Sequence, residues 1–129
     1  MKVLAEISVG ELFDKITILN IKTKKILDQQ KLNNIFKELN TLNEQATKID
    51  ISDKISLDHQ VKQLQSINEE LWDIENYKRE CEANKDFGEI FIKLSRDVHF
   101  KNDIRAKIKK EINLLSNSMI VEEKEYSKY

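Results

Sequence analysis

The sequence predicts an all-α fold: an antiparallel bundle of about four helices with a long C-terminal helical hairpin. Three observations predict it. The chain has no proline and only two glycines, Gly10 and Gly88, too few turn residues for a β-sandwich or a dinucleotide-binding α/β domain. Charged residues make up 35 % and hydrophobic residues 40 %, a mixture that suits long amphipathic helices. Apolar residues also recur at helical spacing over most of the length.

The 129 residues are enough for one domain and one core. That domain is expected over residues 1–117, followed by a polar, frayed tail over residues 118–129. Lys2 to Ile7 (KVLAEI) reads as a short extended lead-in. The first helix starts at SVGE, where Ser8 and Glu11 have capping-box spacing. Val9, Leu12, Phe13, Ile16, Leu19, Ile26 and Leu27 form its stripe. Acids come early (Glu11, Asp14) and bases late (Lys22, Lys24, Lys25), as the helix dipole prefers. Ile18 and Ile21 fall off the stripe, so this helix is either buried on two sides or faces a partner chain.

Leu32, Ile35, Phe36, Leu39, Leu42, Ala46 and Ile49 form a second stripe, nearly opposite the first at about 100° per residue. One straight helix cannot aim both at a single core, which places a break near Asp28 to Asn34. Lys48 to Asp53 reads as a loop, with Asp50, Ser52 and Asp53 as cap candidates. A third helix then carries Leu57, Leu64, Ile67, Leu71 and Ile74 and runs to about Asn84. Its last turns become polar on the inner face, at Glu75, Lys78 and Glu82. Asp86 and Glu89 are a capping pair for a fourth helix with Phe87, Ile90, Phe91, Leu94 and Val98 as its stripe. Ile108, Ile112 and Leu115 resume that stripe.

Between Val98 and Ile108 the fourth stripe is interrupted. On a helical wheel Phe87, Leu94 and Ile112 fall within roughly 20° of one another and Arg105 shares their direction, while Lys101, Asn102 and Lys109 flank it within roughly 60°. An unpaired buried charge costs several kcal/mol, so three readings stand. Arg105 is held by carboxylates of neighbouring helices. Or the helix breaks at Asn102–Asp103, with Asp103 as a new N-cap. Or the polar patch lines an open cleft for an anion, with Arg105 as the bidentate group. In a hairpin about Lys85, residues equidistant from the turn meet. Arg105 is then level with Leu64 to Asn68, and His99 lies near Glu70 to Trp72. Asn68 and Glu75 point inward, Trp72 edges the stripe, and the first helix brings Glu11 or Lys15. The candidate ligand-binding residues are therefore Arg105, Lys109, Asn102, Lys101, Trp72, Asn68, Glu75, Glu11, Lys15 and His99.

Other chemistry is thinly represented. Glu69 and Asp73 are i, i+4 neighbours but point away from the stripe, as a solvated face does. His59 and His99 show no ligand spacing, so neither a metal nor another cofactor is expected. Lone Cys81 gives no disulfide framework and suggests a reducing, cytoplasmic setting. No phosphate-binding glycine loop or serine-hydrolase elbow is present, and catalytic residues stay unassigned. The net charge of −1 argues against nucleic acid and anionic membranes as partners, without excluding a local basic patch, and no apolar window is long enough to span a bilayer.

Three segments, SVGELFDKITIL (Ser8 to Leu19), INEELWDIE (Ile67 to Glu75) and FIKLSRDVHFKNDIRAKIKKEIN (Phe91 to Asn113), resemble a family of small bacterial and phage-borne proteins known only as a domain of unknown function. The resemblance covers about residues 3 to 115. It implies a helical domain and offers no catalytic residue to carry over. Besides a third option, an enzyme with His99 or Glu75 as the acid–base group beside an Arg-held substrate, two functions stay open. One is a small soluble binding module that takes an anionic small molecule or an acidic partner segment at a cleft around Arg105. The other is a structural or assembly protein, a homodimeric bundle in which Arg105 is an internal salt-bridge lock.

Overall fold

The computed structural model describes residues 1–129. It contains four helices and no strand: α1 Val9–Lys25, α2 Gln29–Thr47, α3 Lys54–Ala83 and α4 Glu89–Leu115. None is long and apolar enough to cross a membrane.

Ser8 caps α1: its Oγ accepts from the Glu11 N–H at 3.1 Å. Only half of the expected capping box forms, because Glu11 pairs its carboxylate with Lys109 instead. The helix stops at Lys25, earlier than its apolar stripe suggested. Ile26 is its extended C-cap, and Leu27 is 91 % exposed rather than part of the core. Asp28 then caps α2 through the Lys31 N–H at 2.8 Å. The break is thus a tight corner over residues 26–28, which lets α2 turn its stripe onto α1. Leu12, Ile16 and Leu19 of α1 bury against Ile35 and Leu39 of α2. Among the helices, α2 contacts α1 alone, so it is an outer layer rather than the fourth wall of a closed bundle.

Asp53 is the cap of α3, accepting from the Ser56 N–H at 3.0 Å. Lys85, with φ of 53°, turns the chain into α4. Asp86 is not the cap of α4. It lies two residues ahead of the true N-cap, Gly88, and its carboxylate accepts the Gly88 N–H within the turn. The hairpin register is the one expected about Lys85, since Lys101 of α4 pairs with Glu70 of α3 at 2.7 Å. A second core joins Ile51, Leu57, Leu64, Ile67 and Ile112. Burial on α3 ends at Ile74 and on α4 begins only at Lys109. The distal hairpin is therefore a two-helix arm, with Tyr77, Phe87, Ile90 and Ile92 exposed.

α1 lies along the proximal hairpin and packs on both of its helices. Its start is tied to the end of α4: the Gly10 N–H donates to Asn113 Oδ1 at 2.7 Å and the Val9 N–H to Ser118 Oγ at 3.2 Å. A Cβ on Gly10 would stand 2.5 Å from the Lys109 carbonyl oxygen, so only glycine permits this approach. Ile21 is 2 % exposed, and α1 is buried on two sides. Residues 120–129 form no helix or strand. They return along α4, where Glu122 meets Lys109 at 3.0 Å and Glu123 meets Lys110 at 3.1 Å.

Candidate functional site

The interrupted stripe of α4 is continuous helix, because α4 runs unbroken from Glu89 to Leu115. Asp103 is not an N-cap, and the wheel that aims Arg105 inward holds. Its partner is Asp14 on α1. Arg105 Nε donates to Asp14 Oδ1 at 2.9 Å, and Nη2 donates to Oδ2 in a second, short bond. A planar guanidinium with two parallel donors suits a carboxylate in this way. Lys109 stands one turn further on, 3.6 Å from Asp14, 2.6 Å from Glu11 and 3.0 Å from Glu122.

Asn68 of α3 completes the cluster. Its Nδ2 donates to Asp14 Oδ1 and to Thr17 Oγ1, both at 2.9 Å. Thr17 in turn donates its hydroxyl hydrogen to the Asp14 carbonyl at 2.8 Å. Asp14 is 1 % exposed. Burial alone would raise its pKa, yet hydrogen bonds from Arg105 and Asn68 and the charges of Arg105 and Lys109 outweigh that and hold it below the usual carboxylate value. The Asp14 hydrogen bond raises the Arg105 pKa against desolvation. Burial works against the Lys109 ammonium, but bonds to Glu11 and Glu122 leave its pKa raised. All three groups are therefore ionised near neutrality.

Beside this cluster a cleft of about 480 Å³ opens between α1, α3 and α4. Ile18, Ile21 and Leu71 form its apolar wall. Trp72, Asn68 and Glu75 line it from α3, and Asn102 and Arg105 from α4. Five of the residues expected from sequence thus meet in one place. The others do not line it. Lys109 and Glu11 sit to one side, in the ion network, Lys109 largely covered and Glu11 partly exposed. Lys15 is exposed and 3.8 Å from Glu11. Lys101 is paired with Glu70. His99 is exposed on another side of α4, its ring 5.1 Å from Tyr129. The hollow there is larger, about 1230 Å³, but no buried residue lines it.

Sequence reasoning did not assign two residues that matter here. Asp14 reads as a helix-dipole acid, yet Gly10, Asp14, Thr17 and Ile21 recur at i, i+4, i+7 and i+11. That second row continues through off-stripe Ile21 and was the available signal. Arg79, eleven residues after Asn68 on α3, also lines the cleft and belongs to no ion pair. Its signal was the row Asn68, Trp72, Glu75, Arg79 at helical spacing.

Fold and site together define an all-α protein in which a helical hairpin and a crossing helix enclose a buried ion network beside an open polar cleft. The chain belongs to a family of unknown function (DUF6165), whose model matches residues 1–129. No curated protein and no solved structure matches it.

Proposed function

We propose that this protein is a binding module whose cleft beside Arg105 receives an anionic small molecule. One observation carries the reading: a cation held in fixed orientation by a buried carboxylate borders an open cleft with an indole, amides and a second, unpaired cation. Arg105 is largely neutralised by Asp14, so it acts as an oriented donor. Arg79, which is in no ion pair, supplies the cleft's second cation, and Glu75 four residues before it is the one carboxylate on the lining. An apolar wall with a few converging polar groups is the usual make-up of a small-molecule site. A cytoplasmic setting belongs to the same proposal and agrees with the single free Cys81.

The test is a thermal-shift screen of anionic metabolites, sugar phosphates and nucleotides on wild type, Arg79→Ala and Trp72→Leu. Arg105→Ala is the wrong variant for a first test, because it strands Asp14. A ligand that raises the melting temperature of wild type and not of either variant supports the module. No stabilising ligand would sink it.

The second reading is a structural or assembly protein in which Arg105 is a lock. The closed pairing of Arg105 and Lys109 with Asp14, Glu11 and Glu122 favours it. Its distinguishing requirement is a homodimer, checked by solution mass across a concentration series.

A further inference from the structure

Resting on that reading, we infer that the cleft takes a nucleotide-like ligand: a planar heterocycle with a hydrogen-bond acceptor and an N–H donor side by side, joined to an anionic group. The geometry that points there is an unanswered acceptor. Asn68 is only 5 % exposed. Chemistry fixes its amide orientation. The Asp14 carboxylate only accepts, and the Thr17 hydroxyl hydrogen is already given to the Asp14 carbonyl. Both neighbours therefore need the NH₂ end of Asn68, which donates to both. Its Oδ1 accepts from no protein group, yet no buried side-chain atom lacks a partner. Oδ1 is therefore not sealed from solvent, and the hollow that Asn68 lines is this cleft.

Donors stand beside that acceptor. A guanidinium carries five N–H groups. Arg105 uses Nε and Nη2 on Asp14 and turns Nη1 to Asn102 Oδ1 at 3.4 Å. N–H groups on its outer edge and the Asn102 NH₂ are left over. The cleft thus offers an acceptor next to donors, the complement of a nucleobase edge. A bare carboxylate fits that spot poorly, because it would face Asn68 Oδ1 with nothing to donate. Four residues on, Trp72 offers a flat face on which a base can stack.

The anionic group has its own place. Arg79 is about 16 Å beyond Asn68 along the α3 axis. Helical side chains lean toward the N-terminus, which carries its guanidinium back toward Trp72. A nucleoside monophosphate spans this arrangement, with its base at Asn68 and Arg105 and its phosphate at Arg79.

Isothermal titration calorimetry with AMP, GMP, CMP, UMP, ribose 5-phosphate and pyrophosphate is the test, on wild type, Trp72→Leu and Asn102→Ala. Far-UV circular dichroism checks that each variant is folded. At least one nucleotide is expected to bind wild type roughly tenfold or more tightly than ribose 5-phosphate and pyrophosphate. Each variant should lose about tenfold for that nucleotide, the weight of one stack or oriented hydrogen bond. Equal binding of nucleotide and ribose 5-phosphate would overturn base recognition and leave the anion cleft standing. So would nucleotides that fail while another anion from the thermal-shift screen binds. Failure of every compound would overturn both.

Discussion

The two buried faces of α1 solve the same problem by opposite means. Toward α2 the helix presents Leu12, Ile16 and Leu19, which bury against Ile35 and Leu39. Toward the hairpin it presents Gly10, Asp14 and Thr17, also buried. The first face gains by removing apolar area from water, about 25 cal/mol per Å², without regard to direction. The second carries a carboxylate with only 1 % exposure and is stable only because Arg105, Lys109 and Asn68 meet it in fixed geometry. The apolar face should tolerate any apolar side chain of similar volume. The polar face should tolerate almost none, and in return it holds Arg105 and Asn68 rigid at the cleft.

The largest expected effect is on the polar face. Asp14→Leu keeps the branching at Cγ, though in a larger side chain, and leaves Arg105 unpaired, so urea denaturation should show a loss of about 3 kcal/mol. This is the low end for a broken buried pair, because Arg105 is partly exposed. The double variant Asp14→Leu/Arg105→Met should recover much of it. A loss as large as the two single losses summed would mean that the pair does not act as a unit.

Gly10→Ala comes next. In an open helix this change gains about 1 kcal/mol. Here the new Cβ meets the Lys109 carbonyl, so a loss of about 1–3 kcal/mol is expected. A gain would show that α1 does not lie against α4.

Acid should also separate the faces. The folded pKa of Asp14 is lowered from 3.8, so its contribution is present above that value and lost as pH falls through the folded one. Asp14→Asn should flatten this part of the acid limb in urea titrations below about pH 4, whereas Leu19→Met should leave it unchanged. Leu19→Met itself should cost under about 1.5 kcal/mol. A loss matching that of Asp14→Leu would erase the contrast between the faces. The smallest effect belongs to the surface pair Lys101–Glu70, at 33 % and 49 % side-chain exposure. Lys101→Ala should cost at most about 1 kcal/mol, and the cost should fade with salt. The cost of Asp14→Leu should persist in salt.

The sequence made the four helices legible because each has its own local signal. Ser8 and Asp53 are caps, the stripes of α1 and α2 diverge by half a turn, and the hairpin turns at Lys85. The interruption around Arg105 was also visible, since a cation in the middle of an apolar stripe violates its own neighbourhood. Leu27 misled because a stripe does not say where a helix stops, whereas Ile26, the C-cap, still packs on the core. Asp86 misled because an aspartate can close a turn as readily as cap a helix.

The resolution of the Arg105 interruption lay at long range. Asp14 is 54 residues from Asn68 and 91 from Arg105, and the one local sign of its burial, the row Gly10, Thr17 and Ile21, names none of its partners. Amphipathic period is a local property, so composition and spacing determined that the chain is helical, where its oily faces lie and that α4 carries a polar interruption. Whether α4 broke at that interruption, and which groups meet Arg105 there, depended on what α1 brings to it. Only the tertiary structure decided this, because a buried charge takes its meaning from the groups that surround it in space.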